Sequence, residues 1–233
     1  MDGSVHSNKV LAITTETNAI DYLEKSYYFI CQTVERPYAW KWVAISLHGA
    51  LYGFAVSALI GPSWPDFLIT DNKRTRAFKA HKHYKHIKQL RGSLIGFDNA
   101  LRNCQTPKAM YKPANDQYPE NRNVLQLTEQ ECNSINKLKD ALRNRFMHFK
   151  PGASYFRTDD FPKMALDVLG VIYYLAMDSG HCYRLATSEK VAIEHLVLLS
   201  CIKLYEIDAS VHHVSEPGQP TFPTPHHVSL CNF

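Results

Sequence analysis

Two arginines, an asparagine and a histidine lie within a short stretch of the chain, at Arg143, Asn144, Arg145 and His148. An imidazole, with an ordinary pKa of about 6.5, can accept or donate a proton near neutral pH. A guanidinium stays charged and offers a fork of donors that fits a phosphate. The cluster is therefore suited to cutting a phosphodiester without a metal, with His148 as the proton-transfer group and Arg143 as the phosphate contact.

A helix must position these side chains. Thr128 and Glu131 match a capping box, and the sequence after them carries one regularly spaced apolar face. At about 100° per residue, Asn144 and His148 both point away from that face, and residues four apart on a helix are neighbours. The alternative interpretation needs no function, because basic residues favour the negative C-terminal end of a helix dipole. The apolar face consists of Ile135, Leu138, Leu142, Phe146 and Phe149.

The string Arg143-Asn144-x-x-x-His148 resembles the signature of the HEPN superfamily, an arginine followed by a polar residue and, a few positions on, a histidine. The resemblance implies an α-helical bundle, commonly dimeric, in which two motifs meet across the interface. Many members are metal-independent endoribonucleases of toxin–antitoxin, phage-defence and RNA-processing systems. Others have lost catalysis and bind a nucleotide or a partner protein. In the first case Arg143, Asn144 and His148 are catalytic, and in the second the motif is an interface or helix cap.

The chemistry and the resemblance together predict partners. One histidine per chain does not easily supply both the acid and the base of RNA cleavage, so a homodimer with two facing motifs is expected. Asn144 is expected to orient His148 or the substrate, and Arg145 to contact the RNA backbone at the edge of the cleft. An antitoxin or a defence-complex protein is the further partner that the resemblance implies.

A second basic region lies between Asp71 and Asp98, where eight lysines and arginines occur without an acidic residue. On a helix, positions that step by three form a slowly drifting ridge, and an interleaved tyrosine can stack on bases. This pattern predicts an RNA-binding surface whose affinity falls with salt. The alternative is a solvated, lysine-rich helix face. The predicted RNA contacts are Lys79, Lys82, Lys85, Lys88 and Tyr84.

Apolar residues recur at helical spacing through most of the chain, and no strand pattern is evident. The sequence therefore predicts an all-α, five- to six-helix HEPN-like bundle, forming a single domain over residues 16–207. Residues 1–15 are expected to be a flexible N-terminus and 208–233 a disordered tail. The predicted helical segments are 16–36, 38–60, 83–101, 128–149, 160–177 and 188–207, with residues 105–127 as a connecting loop.

The last of these segments is predicted to begin at a Ser188 cap. Its periodic positions are Val191, His195, Leu198, Ile202 and Tyr205.

The segment Val43–Ile60 is free of formal charge and borderline in length for a membrane span. His48, the serine and glycine interruptions, and the lack of a second such segment favour a buried bundle helix. Gly49 and Gly53 would let a neighbouring helix approach closely. A membrane partner is therefore not expected.

The six cysteines form no C-x-x-C pair and no secretory signal opens the chain, which indicates a cytoplasmic protein with reduced thiols. No cofactor is expected. His81, His83 and His86 suggest a metal site at first, but on a helix the first two would point about 160° apart. No metal is expected either.

Overall fold

The computed structural model describes residues 11–60, 94–110, 124–147 and 155–212, apart from the side chains of Lys108, Val211 and His212. Within these ranges the chain is mostly helical and has no strand, so the all-α prediction is confirmed. The α-helices are α1 (Thr15–Gln32), α2 (Ala39–Leu59), α3 (Phe97–Cys104), α4 (Pro107–Met110), α5 (Glu129–Asn136), α6 (Asn144–Met147), α7 (Phe161–Tyr173) and α8 (Thr187–His212).

Helix α2 is the centre of the bundle. By length and composition it could cross a membrane, but 72% of its most apolar window is buried among the other helices. Its closest neighbour is α1, and two glycines make that approach possible. A Cβ on Gly53 would lie 2.7 Å from the Ala19 Cβ, and one on Gly49 would lie 2.6 Å from the Tyr22 ring. The predicted buried helix and the predicted close approach are both confirmed.

The helix that carries the arginines begins at the predicted capping box. The Thr128 side chain accepts a bond from the Glu131 backbone amide at 3.2 Å, and the Glu131 carboxylate accepts one from the Thr128 amide at 2.8 Å. Three helical elements then follow without a break: α5, a π-helical segment (Lys137–Arg143) and α6. We call this run, residues 129–147, the motif helix. Leu138 and Leu142 are buried, as the periodicity predicts.

Helix α7 packs between the motif helix and α8. It has a proline in its first turn, at Pro162, as the sequence predicts. Most of its apolar side chains are buried, and it continues as a second π-helical segment (Tyr174–Asp178). The Ser179 hydroxyl donates a 2.7 Å bond to the Leu175 carbonyl and closes this end.

Two sequence-based boundaries are wrong. A continuous helix over 83–101 was predicted, but residues 94–96 are not helical: Leu94 is exposed, and Gly96 is the extended cap of α3. The 105–127 connection contains the short helix α4. The described residues at the two ends of this connection are close together, because the Leu125 amide donates a 2.9 Å hydrogen bond to the Cys104 carbonyl.

Helix α8 differs more from its prediction. It begins at Thr187, so Ser188 lies inside the first turn instead of capping it. It also continues to His212, past the predicted start of the disordered tail at residue 208. The face predicted from Val191 to Tyr205 is exposed. The face that packs into the bundle contains Ile193, Val197, Ser200, Leu204 and Ile207.

Candidate functional site

Arg143 and Asn144 are brought together at the end of the π-helical segment. Both side chains are half-buried, and Arg143 Nη1 donates a 3.0 Å hydrogen bond to Asn144 Oδ1. Asn144 Nδ2 in turn donates to Asp140 Oδ1 at 3.3 Å. Asn144 thus bridges an arginine and an aspartate of its own helix. Because its carbonyl oxygen faces the guanidinium, Asn144 orients Arg143.

The bridge continues to another helix. Lys139 Nζ lies 3.2 Å from Asp140 Oδ2 and 2.9 Å from Asp98 Oδ1, at the start of α3. The hydrogen bond to Asp98 is the largest of the effects that raise the pKa of the Lys139 amine. The lysine therefore stays charged and joins the two carboxylates. A connected, partly buried polar chain runs from Arg143 along one side of the motif helix to Asp98 of α3.

The π-helical turn changes the geometry that an ideal helix predicts. The Asn144 amide bonds to the Lys139 carbonyl, five residues back, so each turn here holds more residues than an α-turn. Angles counted at about 100° per residue are therefore displaced beyond Lys137. Asn144 was predicted to point fully away from the core, but it is half-buried beside Arg143. Short π segments are frequent at functional sites because they re-aim side chains in this way.

His48 joins this region from α2 and was missed as a candidate residue. It is buried, and its ring stacks on Phe97 with centroids 4.2 Å apart and planes 23° apart. Phe97 directly precedes Asp98, the last member of the polar chain. In the sequence His48 served only as an argument against a membrane span. The signal that could have found it is its isolation, as the one side chain able to carry a positive charge in an otherwise uncharged helical stretch.

The surroundings of His48 keep its imidazole neutral. Burial is the main reason that its pKa falls from 6.5 to about 4, and the positive charge of Arg143 lowers the pKa further. Asp98 acts in the opposite direction, and Lys139 adds to the lowering. Helix α2 packs on the π-helical segment that ends at Arg143, so the imidazole and the guanidinium belong to neighbouring elements.

Of the other predicted site residues, the structure describes only Arg145. Arg145 is exposed, which suits a contact at the edge of a cleft. His148 follows the last described residue of the motif helix, so the predicted pairing of Asn144 with His148 lies outside the described residues. The predicted RNA contacts in the basic region also lie outside them. These are Lys79, Lys82, Lys85, Lys88 and Tyr84.

An open groove of about 590 Å³ lies elsewhere, between α5 and α7. Its central carboxylate, Asp167, accepts hydrogen bonds from Gln130 at 2.7 Å and Ser134 at 2.6 Å. Lys137 closes one end by pairing with Asp160 at 3.0 Å. The carboxylates of Asp167 and Asp160 are therefore already paired within the groove. Among the described residues, no group of three or more His, Cys, Asp or Glu side chains could hold a metal ion.

Comparison with known proteins adds no assignment: neither a family model, nor a curated protein, nor a solved structure matches this chain.

Proposed function

We propose that the protein is a metal-independent endoribonuclease of the cytoplasm, acting in a toxin–antitoxin or phage-defence setting through Arg143, Asn144 and His148. The observation that carries the proposal is how few hydrogen bonds the Arg143 guanidinium makes. Within the described residues its guanidinium bonds only to the Asn144 amide oxygen, and no carboxylate pairs with it. A guanidinium has five N–H donors, so most remain available for a phosphate.

The proposed reaction uses the 2′-hydroxyl of RNA as its nucleophile. The 2′-oxygen attacks the adjacent phosphorus, the bond to the 5′-oxygen breaks, and the products end in a 2′,3′-cyclic phosphate and a 5′-hydroxyl. A base removes the 2′-proton, an acid protonates the leaving oxygen, and a cation stabilises the charged phosphorane. His148 carries out one of the two proton transfers. Arg143 stabilises the charged phosphorane. Asn144 holds the guanidinium in position.

The second proton transfer requires another group. His48 is buried and neutral at pH 7, so it does not supply an acidic proton there. The proposal therefore keeps the homodimer, in which the His148 of a second copy completes a composite site. We propose that Arg145 and the basic region 72–91 contact the RNA backbone. An antitoxin or defence-complex protein would regulate the activity.

Cleavage of labelled RNA in EDTA tests this assignment. Wild-type protein is compared with His148→Ala, Arg143→Ala and Arg143→Lys, and with Arg184→Ala as a control at an exposed arginine of the loop before α8. We expect cleavage by wild type and by the control, with cyclic-phosphate ends, and none by His148→Ala. Arg143→Lys should remain strongly impaired, because an ammonium keeps the charge but loses the fork. DNA of the same sequence should stay intact, because it lacks the 2′-hydroxyl.

Two outcomes contradict the proposal. Equal cleavage by wild type and His148→Ala would place the activity elsewhere. Inactivity of every protein, with the helical fold intact by circular dichroism, would favour the second candidate, a non-catalytic helical module that binds a nucleotide or a partner protein. The observation that favours this second candidate is the exposed apolar face of α8.

A further inference from the structure

Helix α8 carries apolar side chains on two faces. One face is in the core, where Ile193 and Leu204 are fully buried. The other is open to solvent, although an apolar stripe on the outside of a bundle is normally covered by a partner. The exposed fractions on that second face are 60% for Val191, 50% for Leu198, 47% for Ile202 and 47% for Tyr205.

The spacing of this stripe indicates what covers it. With the exposed His195 included, the positions 191, 195, 198, 202 and 205 are separated alternately by four and three residues. This is the seven-residue repeat of a coiled-coil seam, whose partner is another helix with the same repeat. We call these five residues the α8 seam.

At the centre of the repeat, Leu198 and Ile202 favour two parallel strands. In heptad terms His195 and Ile202 occupy a positions, and Val191, Leu198 and Tyr205 occupy d positions. A β-branched residue at a, with leucine at d, is the combination that favours a parallel two-stranded coil. A single polar residue at an a position, here His195, fixes the register. These features agree with a partner that presents the same sequence.

The charges beside the seam distinguish the parallel pair from the antiparallel pair of greatest overlap. In a parallel pair, Glu194 faces Leu199 of the second copy, and Cys201 faces Glu206 of the second copy. No carboxylate then opposes another. The antiparallel arrangement that sets Leu198 opposite Ile202 also sets Glu194 opposite Asp208, twice by symmetry. Two repelling carboxylate pairs disfavour that arrangement.

We propose that the α8 seam is a homodimer interface, in which two copies pack in parallel and each seam residue lies opposite itself. The contact is isologous and closes with two-fold symmetry. It is a second contact, separate from the motif-to-motif contact of the proposed function, and it does not rest on the ribonuclease activity, because α8 packs on α1 and α7 and carries none of the motif residues. Two heptads are fewer than the roughly three to four of a typical coiled coil, so the expected association is weak.

Sedimentation velocity of the full chain over a wide concentration range tests the proposal. We expect wild type to associate, and Leu198→Glu/Ile202→Glu to halve the assembled mass, because two carboxylates would enter the seam from each copy. The control is Val34→Glu, at an exposed valine after α1 that is 64% accessible. It should associate like wild type. Monomeric wild type at every concentration, or equal association of wild type and the double variant, would overturn the proposal.

A cross-link tests the register and remains decisive if the charged variant does not fold. In a parallel in-register pair, Ile202 lies opposite its own counterpart, so two cysteines at this position would face each other across the seam. Because Cys31 is exposed, the variants are made in a Cys31→Ser background. There we expect Ile202→Cys to form a covalent dimer under mild oxidation, while the background protein and Val34→Cys do not. A covalent dimer from Leu198→Cys/Ile202→Cys, but from neither single variant, would establish the antiparallel arrangement and refute the parallel one.

Discussion

The motif helix and α8 both bury one apolar face, but they present opposite chemistry outside. The motif helix exposes a connected polar chain in which Asn144, Asp140 and Lys139 bond to neighbours. Helix α8 instead exposes an apolar seam with carboxylates beside it. Fixed, charged side chains can act on a small charged group such as phosphate, whereas an apolar stripe gains free energy only when another surface removes it from water. The two faces therefore suit catalysis and association, respectively.

The largest expected contrast is between two aliphatic truncations. Leu142→Ala removes a side chain of the motif helix that is only 1% exposed, and should cost about 2–5 kcal/mol of unfolding free energy through lost burial and a cavity. Ile202→Ala on the α8 seam should change the unfolding free energy of the monomer by less than about 0.5 kcal/mol. Urea denaturation at a concentration too low for association measures both. Equal losses would mean that the seam is covered within the monomer.

The second prediction concerns His48, which links α2 to the motif region. The folded-state pKa is lowered to about 4, so the native protein binds fewer protons than the unfolded chain. Stability is complete above pH 6.5, where both states hold neutral imidazole, and is lost as the pH falls toward 4. The loss should be on the order of 3 kcal/mol, and it is constant below that pH, where both states are protonated.

His48→Gln should remove this pH-dependent part, because an amide does not titrate. Denaturation of both proteins from pH 7.5 to 4 isolates the effect as the difference between them, since the carboxylates are common to the two. The groups that face His48 are Arg143 and Lys139 on the motif helix and Asp98 on α3. An identical pH dependence in the two proteins would show that His48 is solvated rather than buried.

The sequence predicted the elements better than the faces they present. Caps are local signals, so Thr128 with Glu131 and the early Pro162 marked helix starts correctly. Faces require tertiary information. Along α8 apolar residues occur on two sides, and periodicity alone selected the side from Val191 to Tyr205, which the structure leaves exposed.

The candidate site was predictable only in part, for the same reason. Arg143 and Asn144 were found because a motif is contiguous in sequence. His48 was not, because it lies on a different helix and reaches the region through α3, whose Phe97 it stacks on. The π-helical turn was also missed. Its five-residue hydrogen bond at Asn144 leaves no signature in the apolar spacing of Leu138 and Leu142, which are buried under either geometry.

The third prediction compares how the two helices begin. Thr128→Ala removes a cap whose side chain bonds to the Glu131 amide, and should cost about 1 kcal/mol of unfolding free energy. Thr128→Ser keeps the hydroxyl and should be nearly neutral. Thermal or urea unfolding measures the three proteins. A loss of the same size in Thr128→Ser would mean that the methyl group, not the hydroxyl, stabilises this end.

Helix α8 has only one of the two hydrogen bonds of a capping box. Completing the box gives the smallest of the predicted changes in unfolding free energy. The Glu189 carboxylate accepts a 2.8 Å bond from the Ala186 amide, but the alanine offers no oxygen to the helix in return. Ala186→Ser would supply an acceptor for the Glu189 amide and complete a capping box. We expect a gain of about 0.5 kcal/mol in urea unfolding, with Ala186→Val as a control that adds bulk without an acceptor. If serine and valine gave the same result, the Glu189 bond alone would already satisfy this helix start, and the two helices would differ in their outer faces but not in how they begin.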